Sequence, residues 1–343
     1  MFGSPGLSQR WVNILGNVSA PDGVATLTYS LNAGPTFPLS LGPDTRRLAA
    51  PGDFNIEIAS TALSSGRNHV TITAVDTRHH ATVQTVTFDY FSGKVWPLPF
   101  AIDWNGVANL QDVVQVVDGL WTVEPHGIRP VLPGYDRTVA IGDMAWSDYE
   151  ITVPVTIHGI DAAGYRWPSV APGIGLILRW YGHFDWGGTQ PTIGWNPVGA
   201  TLWYGWEVNR FVLKGDHGLK VLDPSPRKME PGSQYYFKMR VQTVANDPHQ
   251  LGWYRAKIWH ETEREPSTWN LQGREHWHDL PNGSVLLVAH HVDATFGDVR
   301  IIPLEQLAPR PLLALWAERA ADGTMVMGKA VKQYLRQLLG RGE

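Results

Sequence analysis

Residues 149–158 read YEITVPVTIH, and their alternation settles what they form. Ile151, Val153, Val155 and Ile157 fall on one side of an extended chain. Glu150, Thr152, Thr156 and His158 fall on the other, because successive side chains of a strand point to opposite faces. A half-buried strand has this period and a helix does not. The pattern repeats along the chain. Leu176, Leu178 and Trp180 alternate with Ile177, Arg179, Tyr181 and His183. Tyr235, Phe237, Met239 and Val241 alternate with Tyr236, Lys238, Arg240 and Gln242. Tyr254, Ala256 and Ile258 oppose Arg255, Lys257 and Trp259. Further runs at 200–208, 284–291 and 298–303, joined by Gly- and Pro-rich connections, predict a two-sheet antiparallel jelly roll over residues 104–308.

Upstream, short alternating runs at Trp11–Leu15, Val24–Leu31, Phe54–Ile58, His69–Ala74 and Thr82–Tyr90 are separated by turn signals: PDG at 21–23, NAGP at 32–35 and SSGRN at 64–68. They predict a small β-sandwich over 10–92, after a tail at 1–9. Residues 93–103, GKVWPLPFAID, read as a Pro-containing linker. At 309–343 the period changes. Met327, Val331, Tyr334, Leu335 and Leu338 recur three and four apart among Lys329, Lys332, Arg336 and Arg341, predicting a short C-terminal amphipathic helix. Its expected uses are docking on the sandwich, self-association or surface anchoring. The fold class is therefore all-β, two sandwiches with a helical C-terminal extension.

The 343 residues carry 28 basic and 32 acidic groups, net −4, which argues against a duplex-DNA binder and predicts no nucleic-acid partner. The absence of cysteine excludes disulfides, thiolate metal sites and a Cys nucleophile. No apolar run reaches the length of a membrane span, and MFGSPGLSQRW lacks the basic and apolar regions of a Sec signal. No Walker A, Rossmann, G-x-S-x-G or H-E-x-x-H pattern occurs, so no organic cofactor is expected. Tryptophan is the outlier: 14 of 16 lie between Trp96 and Trp277. An indole N–H needs a partner, so several of these rings are expected to be exposed or to line a groove.

The segments GNVSAPDGVATLTYSLNAGP, LGPDTRRLAAPGDFNIEI and LSSGRNHVTITAVD resemble bacterial Ig-like modules of extracellular proteins. DGLWTVEPHGIRP, YDRTVAIGDMAWSDYEITVPVTIH and GIGLILRWYGH, continued by YYFKMRVQT, YRAKIWHETEREPSTWNL and GSVLLVAHHVDATFGDVRIIPL, resemble a concanavalin A-like lectin/glucanase domain of the laminin G-like kind. That resemblance spans about 200 residues and implies a fold shared by lectins, hydrolases, lyases and adhesion units. It also implies a structural Ca2+ ion, for which Asp118 and Asp298 are the matching positions.

If the four strands lie side by side, their polar faces make a basic, aromatic concavity suited to sugars, with carboxylated or sulfated rings bound by Arg and Lys. The candidate ligand-binding residues are Arg179, Tyr181, Trp186, Gln190, Trp195, Trp203, Trp206, Lys238, Arg240, Lys257 and Trp259. The segment 181–197, YGHFDWGGTQPTIGWNP, is the richest cluster. Candidate acid/base groups are Glu150, Glu207, Asp185 and His183. The E-x-D-x-x-E strand pattern of concanavalin-like hydrolases is absent, and a lyase is matched only in composition, by Arg179, Gln190, His183 and Tyr181 or Tyr204. His290 and His291, adjacent on a strand, are expected to point to opposite faces. The leading expectation is a secreted or surface-associated carbohydrate-binding protein. The alternatives are a polysaccharide-degrading enzyme using the same cleft and a structural subunit of an extracellular assembly.

Overall fold

The computed structural model describes residues 2–307 except 4, 170, 185–189, 246, 248 and 250. The first strands are β1 (Trp11–Asn17), β2 (Val24–Leu31), β3 (Thr36–Pro38), β4 (Asp53–Ala59), β5 (Gly66–Asp76) and β6 (Ala81–Tyr90). Next come β7 (Phe100–Ile102), β8 (Gln115–Asp118), β9 (Trp121–Glu124), β10 (Gly127–Pro130), β11 (Arg137–Ile141), β12 (Tyr149–Ile160), β13 (Gly173–Trp180) and β14 (Val198–Gly205). The last are β15 (Arg210–Lys214), β16 (Lys220–Leu222), β17 (Gln234–Thr243), β18 (Gly252–His260), β19 (Leu271–Arg274), β20 (Ser284–His290), β21 (Val292–Phe296) and β22 (Val299–Pro303). Among the described residues there is no α-helix, only short 3-10 turns. This corrects the expected fold class, which included a C-terminal amphipathic helix: the fold found is all-β, because two-residue alternation governs the described chain. Residues 309–343, on which that helix and its self-association were expected, lie outside the described residues.

The N-terminal strands form two sheets, β1-β4 and β3-β2-β5-β6. Val12, Leu27, Tyr29, Phe54, Ile56, Ile58, Val70 and Ile72 fill the space between them. The larger sandwich has a nine-stranded sheet, β19-β18-β17-β12-β21-β10-β9 with β22 beside β12 and β7 beside β22, and a seven-stranded sheet, β16-β15-β14-β13-β20-β11-β8. Its core is the apolar set read from alternation: Ile151, Val153, Val155 and Ile157 meet Phe237, Met239, Ala256, Ile258, Leu176, Leu178 and Leu202. The segment 93–103 contributes β7 and the buried Trp96 to this sandwich. In the expected tail, Ser8 and Gln9 are buried.

The outer face of the seven-stranded sheet is itself apolar. Val117, Ala140, Ile177, Leu286 and Val288 cluster there with Trp180 and Val198, all buried. The N-terminal sandwich packs over this region. Gln115 donates to the Trp11 carbonyl (2.7 Å), Arg10 N–H to the Tyr181 carbonyl (2.8 Å) and Ser284 Oγ to the Ser8 carbonyl (2.5 Å). The fully desolvated Arg47 pairs with Glu57 (2.6 Å) and Asp118 (2.8 Å) and donates to the carbonyls of Val117 and Thr192. Glu57 in turn accepts from the Thr192 N–H (2.6 Å) and hydroxyl (2.5 Å). Met1–Pro303 form one compact unit.

Candidate functional site

Beyond the N-terminal sandwich, the outer face of the seven-stranded sheet opens into a groove of about 590 Å³. Alternation positions its floor. On β15, Phe211 and Leu213 enter the core while Arg210, Val212 and Lys214 face the groove. On β14, Leu202 and Tyr204 enter the core while Trp203 and Gly205 face outward. Cross-strand register sets Trp203 beside Val212, Gly205 beside Arg210, and Lys214 beside Lys220. Trp203 can lie against the sheet because the neighbouring strand carries Gly173 and Gly175: a Cβ on Gly173 would run into the indole, and one on Gly175 would come within 3.1 Å of it. Trp195 meets Trp203 at 5.3 Å between ring centroids, and Lys214 Nζ sits 5.9 Å from the Trp203 ring. Glu207 lines one wall, and His290, Asp136 and Ser169 line another.

The polar wall is held by hydrogen bonds. His290 Nδ1 donates to Asp136 (2.7 Å), and its ring packs edge-on against Tyr135 (4.8 Å). His291 Nδ1 donates to Asp161 (2.8 Å), and its Nε2 is 2.9 Å from Ser169 Oγ. His291 has φ +54° and ends the regular strand, so the two rings sit 4.8 Å apart rather than on opposite faces. Burial holds the His291 imidazole below its ordinary pKa, against the pull of Asp161.

Of the four strands expected side by side, β12, β17 and β18 are neighbours, but β13 lies in the other sheet. The outer face of the nine-stranded sheet does gather Glu150, Lys238, Arg240 and Lys257, with Arg255 beside Arg240, and its carboxylates are paired within an excess of basic groups. Arg240 pairs with Glu150 (2.5 Å), and Lys238 and Lys257 both reach Glu265 (2.8 Å). Trp269 lies over this face within cation–π distance of Arg240 (4.9 Å) and Lys257 (5.1 Å), while Trp259 stacks on Tyr236. Glu150 and Glu207 therefore lie on the outer faces of different sheets, and they do not supply the close carboxylate pair that retaining hydrolysis needs.

Arg179 departs furthest from expectation. It sits in a bulge between Leu178 and Trp180, with φ +54°, and is wholly buried. Its guanidinium donates to the Leu280 carbonyl (2.6 Å) and Thr243 Oγ1 (2.7 Å) and pairs with buried Asp279 (3.4 Å). The extra residue turns Trp180 out of the main core into the outer apolar cluster. His183 is also buried. Its Nδ1 donates to the Gly194 carbonyl (2.8 Å), and its own carbonyl accepts from Arg10 (2.7 Å) and Trp11 Nε1 (2.8 Å). Gln190 bonds to Tyr29 and the Glu57 carbonyl across the joint, Tyr181 bonds to Asn282, and Trp206 is buried against Tyr204. Asp185 and Trp186 lie outside the described residues.

Both implied calcium positions have protein partners. Asp118 gives one carboxylate oxygen to Arg47 and the other to the Gly119 N–H, with Arg137 3.6 Å from the latter. Burial, against the pull of these arginines, pushes its carboxyl up to about 6. Asp298, in the turn before β22, accepts from the Trp104 N–H (3.2 Å). Ca2+ needs six to eight free oxygen ligands, and an aspartate flanked by two guanidiniums does not fit that role. Among the described residues no group of three or more His, Asp or Glu could hold a metal.

Several groove residues escaped sequence reasoning: Asp136, Ser169, Arg210, Lys214, Lys220 and His290. So did Trp167, which is 87% exposed two residues from Ser169. One signal for the floor was present, a Gly-Ile-Gly strand start in a chain that also spends Trp in a Trp-Tyr-Gly strand.

No family model matches the chain, and no curated protein matches it. It is similar to the exoplasmic/lumenal domain of VIP36 in its Ca2+/Man2-bound form, at 10% identity and TM-score 0.39, covering 59% of this chain and 87% of that one. It is similar to a structure described under endo-acting O-glycanases that prominent members of the human gut microbiota express, at 6% identity and TM-score 0.37, covering 60% and 98%. Domain 4 of AbnA, a GH43 extracellular arabinanase from Geobacillus stearothermophilus, bound to arabinotriose, matches at 11% identity and TM-score 0.28, covering 53% and 74%. At these scores nothing is carried from those proteins to this chain.

Proposed function

We propose that the groove on the seven-stranded sheet binds an anionic oligo- or polysaccharide. The observation that carries this reading is the floor. Trp203 is laid along the sheet on two glycines, joined by Trp195, and edged by Arg210, Lys214 and Lys220. Indole faces stack on the C–H faces of sugar rings. Cationic side chains hydrogen-bond carboxylate or sulfate with charge assistance. The larger sandwich is then a lectin of the concanavalin A-like, laminin G-like kind and the smaller an Ig-like module, both acting where polysaccharides are met, outside the cell. No helix among the described residues is long and apolar enough to cross a membrane.

Calorimetric titration with neutral and uronate oligosaccharides tests the reading. Trp203→Ala removes a stacking face worth about 2 kcal/mol, so affinity is expected to fall roughly thirty-fold. A Lys214→Gln, Lys220→Gln variant is expected to lose preference for the uronate while retaining the neutral ligand. Failure of the wild type to bind any oligosaccharide, or unchanged affinity in Trp203→Ala, would overturn it.

A further inference from the structure

We propose that Ser169, His291 and Asp161 form a nucleophile–base–orienter triad that hydrolyses carboxylic esters at the groove wall. The three residues come from separate parts of the chain. Asp161 follows β12, Ser169 lies in the segment before β13, and His291 is the corner between β20 and β21. Ser169 Oγ is 2.9 Å from His291 Nε2, and His291 Nδ1 is 2.8 Å from Asp161 Oδ2. These are the nucleophile–base and base–orienter contacts of such chemistry, a hydroxyl on a base and the base held by a third group.

The orientation is over-determined. The other Asp161 oxygen accepts from the Ala163 N–H (2.9 Å), so the carboxylate cannot swing. The Asp161 N–H donates to the His291 carbonyl (2.9 Å), tying the two residues through the backbone as well. Gly164 packs so closely that a Cβ there would lie 2.7 Å from His291 Cβ. With Nδ1–H given to Asp161, the free Nε2 lone pair faces the serine hydroxyl. Burial also favours the neutral imidazole, the form able to take a proton. The Nε2 lone pair of a buried imidazole also needs a partner, and the Ser169 hydroxyl supplies it. That serine is itself buried and borders the groove.

The reaction balances without a co-reactant other than water. Ser169 Oγ attacks the ester carbonyl as its proton passes to His291 Nε2. The bond from carbonyl carbon to alkoxy oxygen then breaks, and the alcohol leaves with that proton. Water, deprotonated by the same nitrogen, attacks the acyl-serine. The acid is released and the Ser169 hydroxyl restored. Ser169 is the catalytic nucleophile, His291 the base, and Asp161 a positioning residue. The inference uses the groove but does not require a glycan in it.

The test is covalent labelling of the full chain by a fluorophosphonate probe, with the modified residue located by peptide mass mapping. Time-dependent modification of Ser169 is expected. Ser169→Ala should abolish it, and His291→Gln should slow it about a hundred-fold, the scale of a general base. Hydrolysis of p-nitrophenyl acetate should follow the same order. Circular dichroism establishes that each variant is folded, and the wild-type result alone is decisive should His291→Gln not fold. For Asp161, the strongly downfield NMR signal of the hydrogen-bonded Nδ1 proton is expected in the wild type and lost in Asp161→Asn. A folded wild type left unlabelled at Ser169, or labelling that proceeds equally fast in folded His291→Gln, would overturn the proposal. Neither outcome bears on the Trp203 titration.

Discussion

His183 shows how one buried ring couples pH to stability. Burial first, then the positive charge of Arg47, lowers its pKa to about 3, although its Nδ1–H is satisfied by Gly194. In the unfolded chain the same group titrates near 6.5. Between those values the unfolded chain takes up a proton that the folded chain refuses. Stability is therefore full above about pH 6.5 and is lost as pH falls toward 3. At about 1.4 kcal/mol per pKa unit the loss reaches several kcal/mol. Urea midpoints measured from pH 7 to 4 should fall steeply in the wild type and less in His183→Asn. Equal slopes would remove His183 as the cause. Sequence reasoning placed this histidine in a groove because its segment is rich in Trp and Gly. Its carbonyl is held by Arg10 and Trp11, more than 170 positions away, and no local pattern carries that information.

At the scale of elements, the clean two-residue period of 149–158 and 235–242 made β12 and β17 and their inward faces legible, along with β18. The short strands β8 to β11, β15 and β16 offer too few positions for a period to show. β20 carries a different message: Val285–Ala289 is apolar throughout, as expected of a strand covered on both sides, and here the second cover is the N-terminal sandwich. The bulge at Arg179 is where alternation misleads, since one extra residue reverses the faces beyond it. Its guanidinium ties β13 of one sheet to Thr243 at the end of β17 in the other, and to Asp279. Arg179→Ala removes the cation paired with the buried Asp279 carboxylate, which keeps only the Gly252 and Leu280 N–H groups and the Tyr254 hydroxyl, at a cost of about 3 kcal/mol. Denaturant unfolding should show that loss. A loss below 1 kcal/mol would mean that the pair does not hold the sheets together.

For the whole molecule, the two sandwiches lie within one compact unit, Met1–Pro303, and their joint is expected to make them unfold together. Arg47, Glu57, Asp118 and Thr192 are joined across a desolvated contact, and the apolar outer face of the seven-stranded sheet lies beside it. Calorimetry should give a single transition. Removal of residues 1–92 should leave a product that aggregates instead of a soluble sandwich. Two separated transitions, or a soluble folded remainder, would contradict this. The groove residues were hardest to read in advance because they are gathered from loops and strand ends whose pairing order the sequence pattern does not specify. The Arg47 contact also has a consequence for descent. A module that can be exchanged by recombination must leave its neighbour's surface wet, and this one does not. The two halves are thus expected to be inherited together. A change of charge at Glu57 has to be answered at Arg47, Asp118 or Thr192, so substitutions at these distant positions should arise in concert across related genomes.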